Sequence, residues 1–234
     1  MVISIIMDVD VYIMIVDERI ITFINSLDTK NSEILEDIER EALADNVPII
    51  RREMQSFLKV LLMVKKPMRV LEVGTAVGFS ALLMSEYVPE ECAITTIENY
   101  EKRIPIARQN FVRAGKEKKI TLLEGDAMDV LKTLEGPYDF IFMDAAKGQY
   151  IHYLPEILRL LAKGGILVSD NVMQDGDVIE SRFAVERRDR TIHARMREYL
   201  YELKHNDALV TSIIPLGDGV ALSVKKEVGT DIAQ

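Results

Sequence analysis

The segment Arg69 to Ser80, RVLEVGTAVGFS, decides how the rest of the chain is read. Val70, Leu71 and Val73 form a short apolar run of β character, glycines follow at 74 and 78, and a helical pattern starts at Phe79. A strand, a tight glycine turn and a helix start present backbone N–H groups and a positive helix end to a ligand. Lacking a Cβ, the glycines would let the backbone come close to that ligand. The spacing is E-x-G-x-x-x-G, beginning at Glu72, and not the G-x-G-x-x-G of a dinucleotide site. A carboxylate at that point repels a pyrophosphate but suits a cationic sulfonium that also carries an ammonium group. Taken alone, the segment also fits an ordinary turn in any doubly wound sheet.

Downstream, strand and helix signals alternate. Strands are expected at Val70–Val73, Ala93–Ile97, Ile120–Leu123, Phe140–Met143 and Ile166–Val168. Helices are expected at Gly78–Tyr87, Glu101–Ala114, Ala127–Leu134 and Ile151–Leu161, the last stopped by Lys163-Gly164-Gly165. A long helix from about Val185 to His205 follows, then two runs, Leu209–Ile214 and Val220–Lys225, joined by Pro215-Leu216-Gly217-Asp218-Gly219. The fold class expected is α/β: a Rossmann-like, doubly wound, seven-stranded, mostly parallel sheet closed by an antiparallel terminal hairpin.

Upstream only helices are expected. Glu18–Leu27 shows helical apolar spacing, Asn31 or Ser32 caps a helix reaching about Asp45, and Ile49–Met63 is amphipathic after the break at Pro48. This helical cap region, 17–64, lies over one end of the sheet. The first sixteen residues, MVISIIMDVDVYIMIV, are apolar but interrupted by Asp8 and Asp10, lack a basic leader and are too short to span a bilayer. Two readings stay open for them: an upstream start codon, with Met14 the natural beginning, or an extra packing element. Activity is expected to survive truncation to Met14.

The 234 residues form one domain, 1–234, with no repeat or linker. A single cysteine, Cys92, excludes a disulfide framework and a cysteine zinc site, and suits a cytoplasmic location. No membrane association is expected. The net charge of −9 excludes a generic nucleic-acid binder, so an RNA partner would need a local basic patch.

Almost every strand ends in an acid: Glu72, Glu98, Asp126, Asp144 and Asp170. Each one alone reads equally well as a helix cap. Together on the rim where open parallel sheets bind ligands, they need a cation or hydroxyl partners. Glu98, at the end of the second strand, is placed for both ribose hydroxyls of a bound adenosine, and Asp126 for the adenine edge. Asp144, Asp170 and Asn171 end adjacent strands and offer three hard oxygen ligands suited to Mg²⁺. The histidines, His152, His193 and His205, are scattered and read as surface or packing residues. Lys147 follows Asp144 closely. A like-charged ion beside an amine favours its proton-accepting form, which makes Lys147 a candidate general base, although by itself it reads as a solvated lysine.

LEVGTAVGFS, IE at 97–98, GDA at 125–127, MDAAKGQY at 143–150 and SDNV at 169–172 together resemble the class I S-adenosylmethionine-dependent, metal-dependent O-methyltransferases, the group containing catechol and caffeoyl-CoA O-methyltransferases. The resemblance covers about residues 48 to 226. It implies that Glu72, Gly74 and Ser80 hold the methionine part of the donor, Glu98 the ribose, and Asp126 with Ala127 the adenine. Met54 and Asp144 complete the donor-binding set. It also implies that Asp144, Asp170 and Asn171 bind Mg²⁺, that Lys147 is the base, and that the protein is a homodimer. No acid precedes the terminal hairpin turn at Ser212, Ile213 or Ile214, which argues against a simple catechol acceptor. The DAAKGQY segment, the ERRDR region and the IPLGDG ending are similar to bacterial methyltransferases that convert wobble 5-hydroxyuridine of tRNA to 5-methoxyuridine. The hydroxyl and the C4 carbonyl of that base would chelate one metal as a catechol's oxygen pair would.

The tRNA anticodon loop is the partner expected for the window Arg182–Arg197, where six arginines stand against two acids, a local balance of +4. On one continuous helix, Ile192, Met196, Tyr199, Leu200 and Leu203 form the buried stripe, and Arg187, Arg190 and Arg197 face outward with Arg188 and Arg195 on the border. Arg51 and Arg52 extend the surface and Tyr150 is available to stack on a base. The alternative is a solvated helix face. Two other classes fit less well: a nucleotide-dependent oxidoreductase conflicts with the glycine spacing, and a binding module leaves Asp144, Lys147, Asp170 and Asn171 unexplained.

Overall fold

A computed structural model describes residues 16–227. The expectations for the apolar extension therefore fall outside the described residues except at Val16. Three helices lead, α1 (Glu18–Ser26), α2 (Glu33–Ala44) and α3 (Arg52–Lys65). The alternating section comprises β1 (Arg69–Val73), α4 (Phe79–Glu86), β2 (Ala93–Glu98), α5 (Ile104–Arg113), β3 (Ile120–Glu124), α6 (Ala127–Thr133), β4 (Tyr138–Met143), α7 (Tyr150–Leu160) and β5 (Leu161–Ser169). Then come α8 (Arg190–His205), β6 (Leu209–Ile214) and β7 (Val220–Lys225).

The seven strands lie in the order β3-β2-β1-β4-β5-β7-β6. β1 to β5 are parallel, and β7 runs antiparallel to both β5 and β6. Alternating side chains divide the core in two. Val70, Ile94, Phe140, Phe142 and Val168 face the layer of α2, α3, α4 and α5. Leu71, Val73, Ile97, Ile141, Met143 and Leu167 face α6, α7 and α8. The central strands are thus apolar on both faces, as a sheet covered on both sides requires. The chain leaves β1 toward β2 on one side and reaches β4 on the other, so the crevice at the carboxyl ends of β1 and β4 is where such a sheet binds ligands.

Several element boundaries differ from the sequence reading, and three of them have a clear structural cause. The α3 helix starts at Arg52, not Ile49, because Ile50 is buried in the core, its carbonyl accepts the Gln55 amide (3.1 Å), and Arg51 is extended. Gly164 and Gly165 do not end α7. Leu161 is already extended, and the pair sits within β5 where the pairing with β4 jumps from Tyr138–Leu161 to Phe140–Ile166. The long helix begins at Arg190, not near Val185. Val185 is buried ahead of it, its carbonyl accepts Arg190 Nε (3.2 Å), and residues 182–184 and 187–189 form turns.

The two glycines of the opening motif are also required by packing inside the protein. Gly74 has φ +106°, and a Cβ there would strike the carbonyl oxygen of Asp144 at the end of β4. Gly78, which caps α4 with φ +85°, would drive a Cβ into the ring of Phe111 on α5. Both places are filled by the protein itself. The glycines permit this internal close packing, and Gly74 in addition lines the cavity described below.

Candidate active site

A cavity of about 540 Å³ opens over the β1–β4 crevice. Its walls come from Ile50 and Met54, the 73–76 turn, Ser80, Glu98, Ala127, the 144–147 segment, Asp170, Asn171, Gly217 and Asp218. Most of the residues singled out in the sequence meet here.

On one side, Glu98 is clamped by backbone donors. Its Oε2 accepts Ala76 N–H (2.7 Å), and its Oε1 accepts Asn99 and Tyr100 N–H (both 2.9 Å). A carboxylate held this way keeps spare lone pairs turned to the cavity for hydroxyl donors. Met54, Gly74, Ser80 and Ala127 line the same space. Asp126 does not line it; one oxygen caps α6 by accepting Met128 N–H (2.9 Å).

Glu72 also stands apart from the cavity surface. It is fully buried beneath Ser80, whose hydroxyl donates to its Oε1 (2.5 Å), and Thr96, whose hydroxyl donates to its Oε2 (2.5 Å). Burial pushes its carboxyl up to about 7 against the pull of those two hydroxyls, with Asp144 and Glu98 adding to the rise. A cation seated above it would favour the ionised form.

On the other side, Asp144, Asp170 and Asn171 converge at the ends of β4 and β5. Asn171 Nδ2 donates to Asp144 Oδ1 (3.2 Å), and Asn171 N–H donates to Asp170 Oδ1 (2.8 Å). Asn171 takes a left-handed backbone (φ 57°) to do so, a strain tolerated where geometry is demanded. Burial raises the Asp144 carboxyl, opposed by Lys147 and the Asn171 amide. Burial and then Asp144 raise Asp170 to about 7. Two crowded, desolvated carboxyls beside an asparagine side chain fit a hard dication. Among the described residues no trio of His, Cys, Asp or Glu gathers, so an ion here would take Asn171 as its third protein ligand and water beyond that. Lys147, at the start of a 3-10 turn (Lys147–Gln149), lines the cavity next to these groups.

Sequence reasoning missed Asp218. It lies in the β6–β7 turn, is buried, and faces the cavity near Asp170, whose titration it raises. The acid sought ahead of that turn is found inside it, where the GDG triplet at 217–219 was the available signal.

The arginine window does not form one basic helical face. Arg187 and Arg188 precede α8, and Arg188 pairs with Glu186 (3.0 Å) and Asp189 (3.3 Å). Arg190 donates to the carbonyls of Val185 and Phe183, Arg195 to Gly148 (3.1 Å) and Arg197 to Val178 (2.8 Å). These side chains pin the 178–189 loop and the 3-10 turn onto α8. Arg182 and Arg187 remain exposed on either side of Phe183, which is 86% exposed. Arg52 is engaged by Glu36 and Glu39, while Arg51 lines the cavity. Tyr150 is completely buried, so it cannot stack on a base.

The arrangement is one cavity at the carboxyl ends of a doubly wound sheet, with the clamped Glu98 on one side and the Asp144, Asp170 and Asn171 group on the other. A family model described as O-methyltransferase matches residues 25–226, and the chain belongs to that family. Caffeoyl-CoA O-methyltransferase 2 of Populus trichocarpa is 33% identical over 183 residues, covering 71% of this chain and 70% of that protein. Catechol O-methyltransferase of Niastella koreensis is 35% identical over 128 residues, 53% of this chain and 58% of the relative, little more than half its length. The crystal structure of the SAH-bound methyltransferase PaMTH1 of Podospora anserina superposes with a TM-score of 0.81 at 27% identity, covering 90% of this chain and 95% of that one.

Proposed function

We propose that this protein moves the methyl group of S-adenosylmethionine onto a hydroxyl oxygen, with Mg²⁺ as the assisting ion, and that the acceptor is 5-hydroxyuridine in a tRNA anticodon loop. The observation that carries the reaction class is one cavity in which a clamped ribose-type acid, Glu98, faces an Asp144–Asp170–Asn171 oxygen set with Lys147 beside it. The bound forms of related structures, such as the SAH-bound methyltransferase PaMTH1, support the donor.

In the transfer, an acceptor oxygen attacks the methyl carbon as the carbon–sulfur bond breaks, leaving a neutral thioether. The acceptor's proton passes to Lys147. Mg²⁺, when bound, would stabilise negative charge on a neighbouring oxygen. Glu98 fixes the ribose and so the direction in which the sulfonium points. Asp144, Asp170 and Asn171 set where the acceptor edge can sit, and alignment of this kind supplies much of the rate in such displacements.

For RNA, the supporting features are the exposed Phe183 between Arg182 and Arg187, close in sequence to the Asp170–Asn171 rim, which suit stacking and phosphate contact. A second reading, a small vicinal diphenol, is favoured by the relatives named for catechol and caffeoyl-CoA and by Asp218 in the cavity. The discriminating experiment incubates the protein with labelled methyl donor and Mg²⁺ against hydroxyuridine-containing tRNA and a catechol panel. Label is expected in tRNA; label in catechols with none in tRNA reverses the assignment of the acceptor.

A further inference from the structure

Asp144 and Asp170 present a mechanical problem before they present a chemical one. The two like-charged groups lie at the ends of adjacent strands, Asp170 buried and Asp144 half-buried, and must stay close enough to share an ion. Their strands are already tied by Asp170 N–H donating to the Met143 carbonyl (2.9 Å). Directly below, the Tyr150 hydroxyl makes three contacts to the same two strand ends. It accepts Ala145 N–H (3.2 Å), and its single proton is shared between the carbonyls of Met143 and Asp170, each at 3.1 Å.

We infer that Tyr150 is a positioning residue: its hydroxyl fastens the ends of β4 and β5 so that Asp144 and Asp170 hold the spacing an ion requires. The inference rests on the metal-assisted reading above. Tyr150 does not reach the cavity and is fully buried. Its ring packs edge-on against Tyr199 (centroids 5.4 Å apart, planes at 75°), whose own hydroxyl bonds Ser169 (2.6 Å). The ring is thus held from the side, and the hydroxyl is aimed at the junction. Ala145, Met143 and Asp170 sit immediately next to or among the proposed ligands. Losing this hydroxyl would leave an amide and a carbonyl unpaired at the point where the ligand geometry is set.

The test uses Tyr150→Phe, which keeps the ring, and Tyr199→Phe, which removes a buried hydroxyl one ring away. The probe is Mn²⁺ alone, followed by the loss of the free-ion paramagnetic resonance signal, with donor affinity measured by calorimetry. Tyr150→Phe is expected to weaken Mn²⁺ binding roughly 10-fold or more while donor affinity stays within about 2-fold. Tyr199→Phe is expected to lose thermal stability without that loss of ion affinity. The rise in melting temperature on adding Mn²⁺, compared within each variant, keeps the result readable if Tyr150→Phe is less stable. Equal Mn²⁺ affinity in Tyr150→Phe and the parent, or equal loss in both variants, overturns the inference. A parent that binds no Mn²⁺ overturns the metal-assisted reading and this inference with it, whereas a parent that binds and a Tyr150→Phe that binds equally removes only the inference.

Discussion

Asp170 and Glu72 are both buried carboxyls held near 7, but they predict different things. Asp170 is exposed by only 5% and faces the cavity among the proposed oxygen ligands. Asp170→Ala is expected to abolish methyl transfer while donor affinity, read by calorimetry, stays within a few fold; unchanged turnover would remove the metal assignment. Glu72 lies below the surface, so its substitution is read in stability. Its folded-state value of about 7 lies above the usual 4.5, which means that the native protein holds the proton more tightly than the unfolded chain. The stabilisation from this group is therefore complete below about pH 4.5 and is lost as pH rises through 7. The full span is on the order of 3 kcal/mol. In urea unfolding at pH 5 and pH 8, Glu72→Gln should show a smaller drop in stability across that interval than the parent. The amide can still accept one hydroxyl and donate to Thr96, whose own proton turns to Thr75, 2.6 Å away.

At the scale of elements, the turn after β1 behaves as a joint between strands. Gly74→Ala would place a methyl group into the Asp144 backbone at a φ that alanine avoids, and the variant is expected to be insoluble or destabilised by several kcal/mol. Gly115→Ala is the matched comparison. Gly115 also has positive φ (+64°) but open space around it, and should cost about 1–2 kcal/mol in the same denaturation measurement. The order and direction of the elements were legible because apolar runs of period two and stripes of period 3.6 are properties of the chain itself. Glu98, Asp144, Lys147, Asp170 and Asn171 were legible as a site for a related reason: strand ends in a parallel sheet share one rim. Boundaries set by tertiary contact were not. The start of α8 depends on Val185 being buried and Arg190 capping its carbonyl, and Gly164 looks like a helix stop until the β4 pairing shows the bulge. Asp218 was hidden because only the folded hairpin, with Met173 N–H bonded to the Asp218 carbonyl (2.9 Å), brings it to the cavity. The arginines were misjudged because a helical projection shows direction and does not show which carbonyls lie within reach.

For the whole molecule, a net charge of −9 makes any RNA contact local and dependent on salt. Arg182 and Arg187 are the candidates for phosphate contact, since Arg190 and Arg197 are engaged with carbonyls. If tRNA is the acceptor, replacing Arg182 and Arg187 together by alanine should lower the slope of log affinity against log salt by roughly 1.4. An unchanged slope would remove this loop from the RNA contact. Replacing Arg190 and Arg197 is expected to act on the 178–189 loop, seen as faster hydrogen exchange there. Among the described residues no helix is long and apolar enough to cross a membrane.

The contact between Gly74 and the carbonyl of Asp144 also bears on how this protein can change. The turn after β1 and the acidic rim at the end of β4 share a wall with no room for even a methyl group, so neither can shift without displacing the other. A change of backbone at either place is therefore expected to be felt at the other, whereas the 174–189 loop and the β6–β7 turn lie outside that contact.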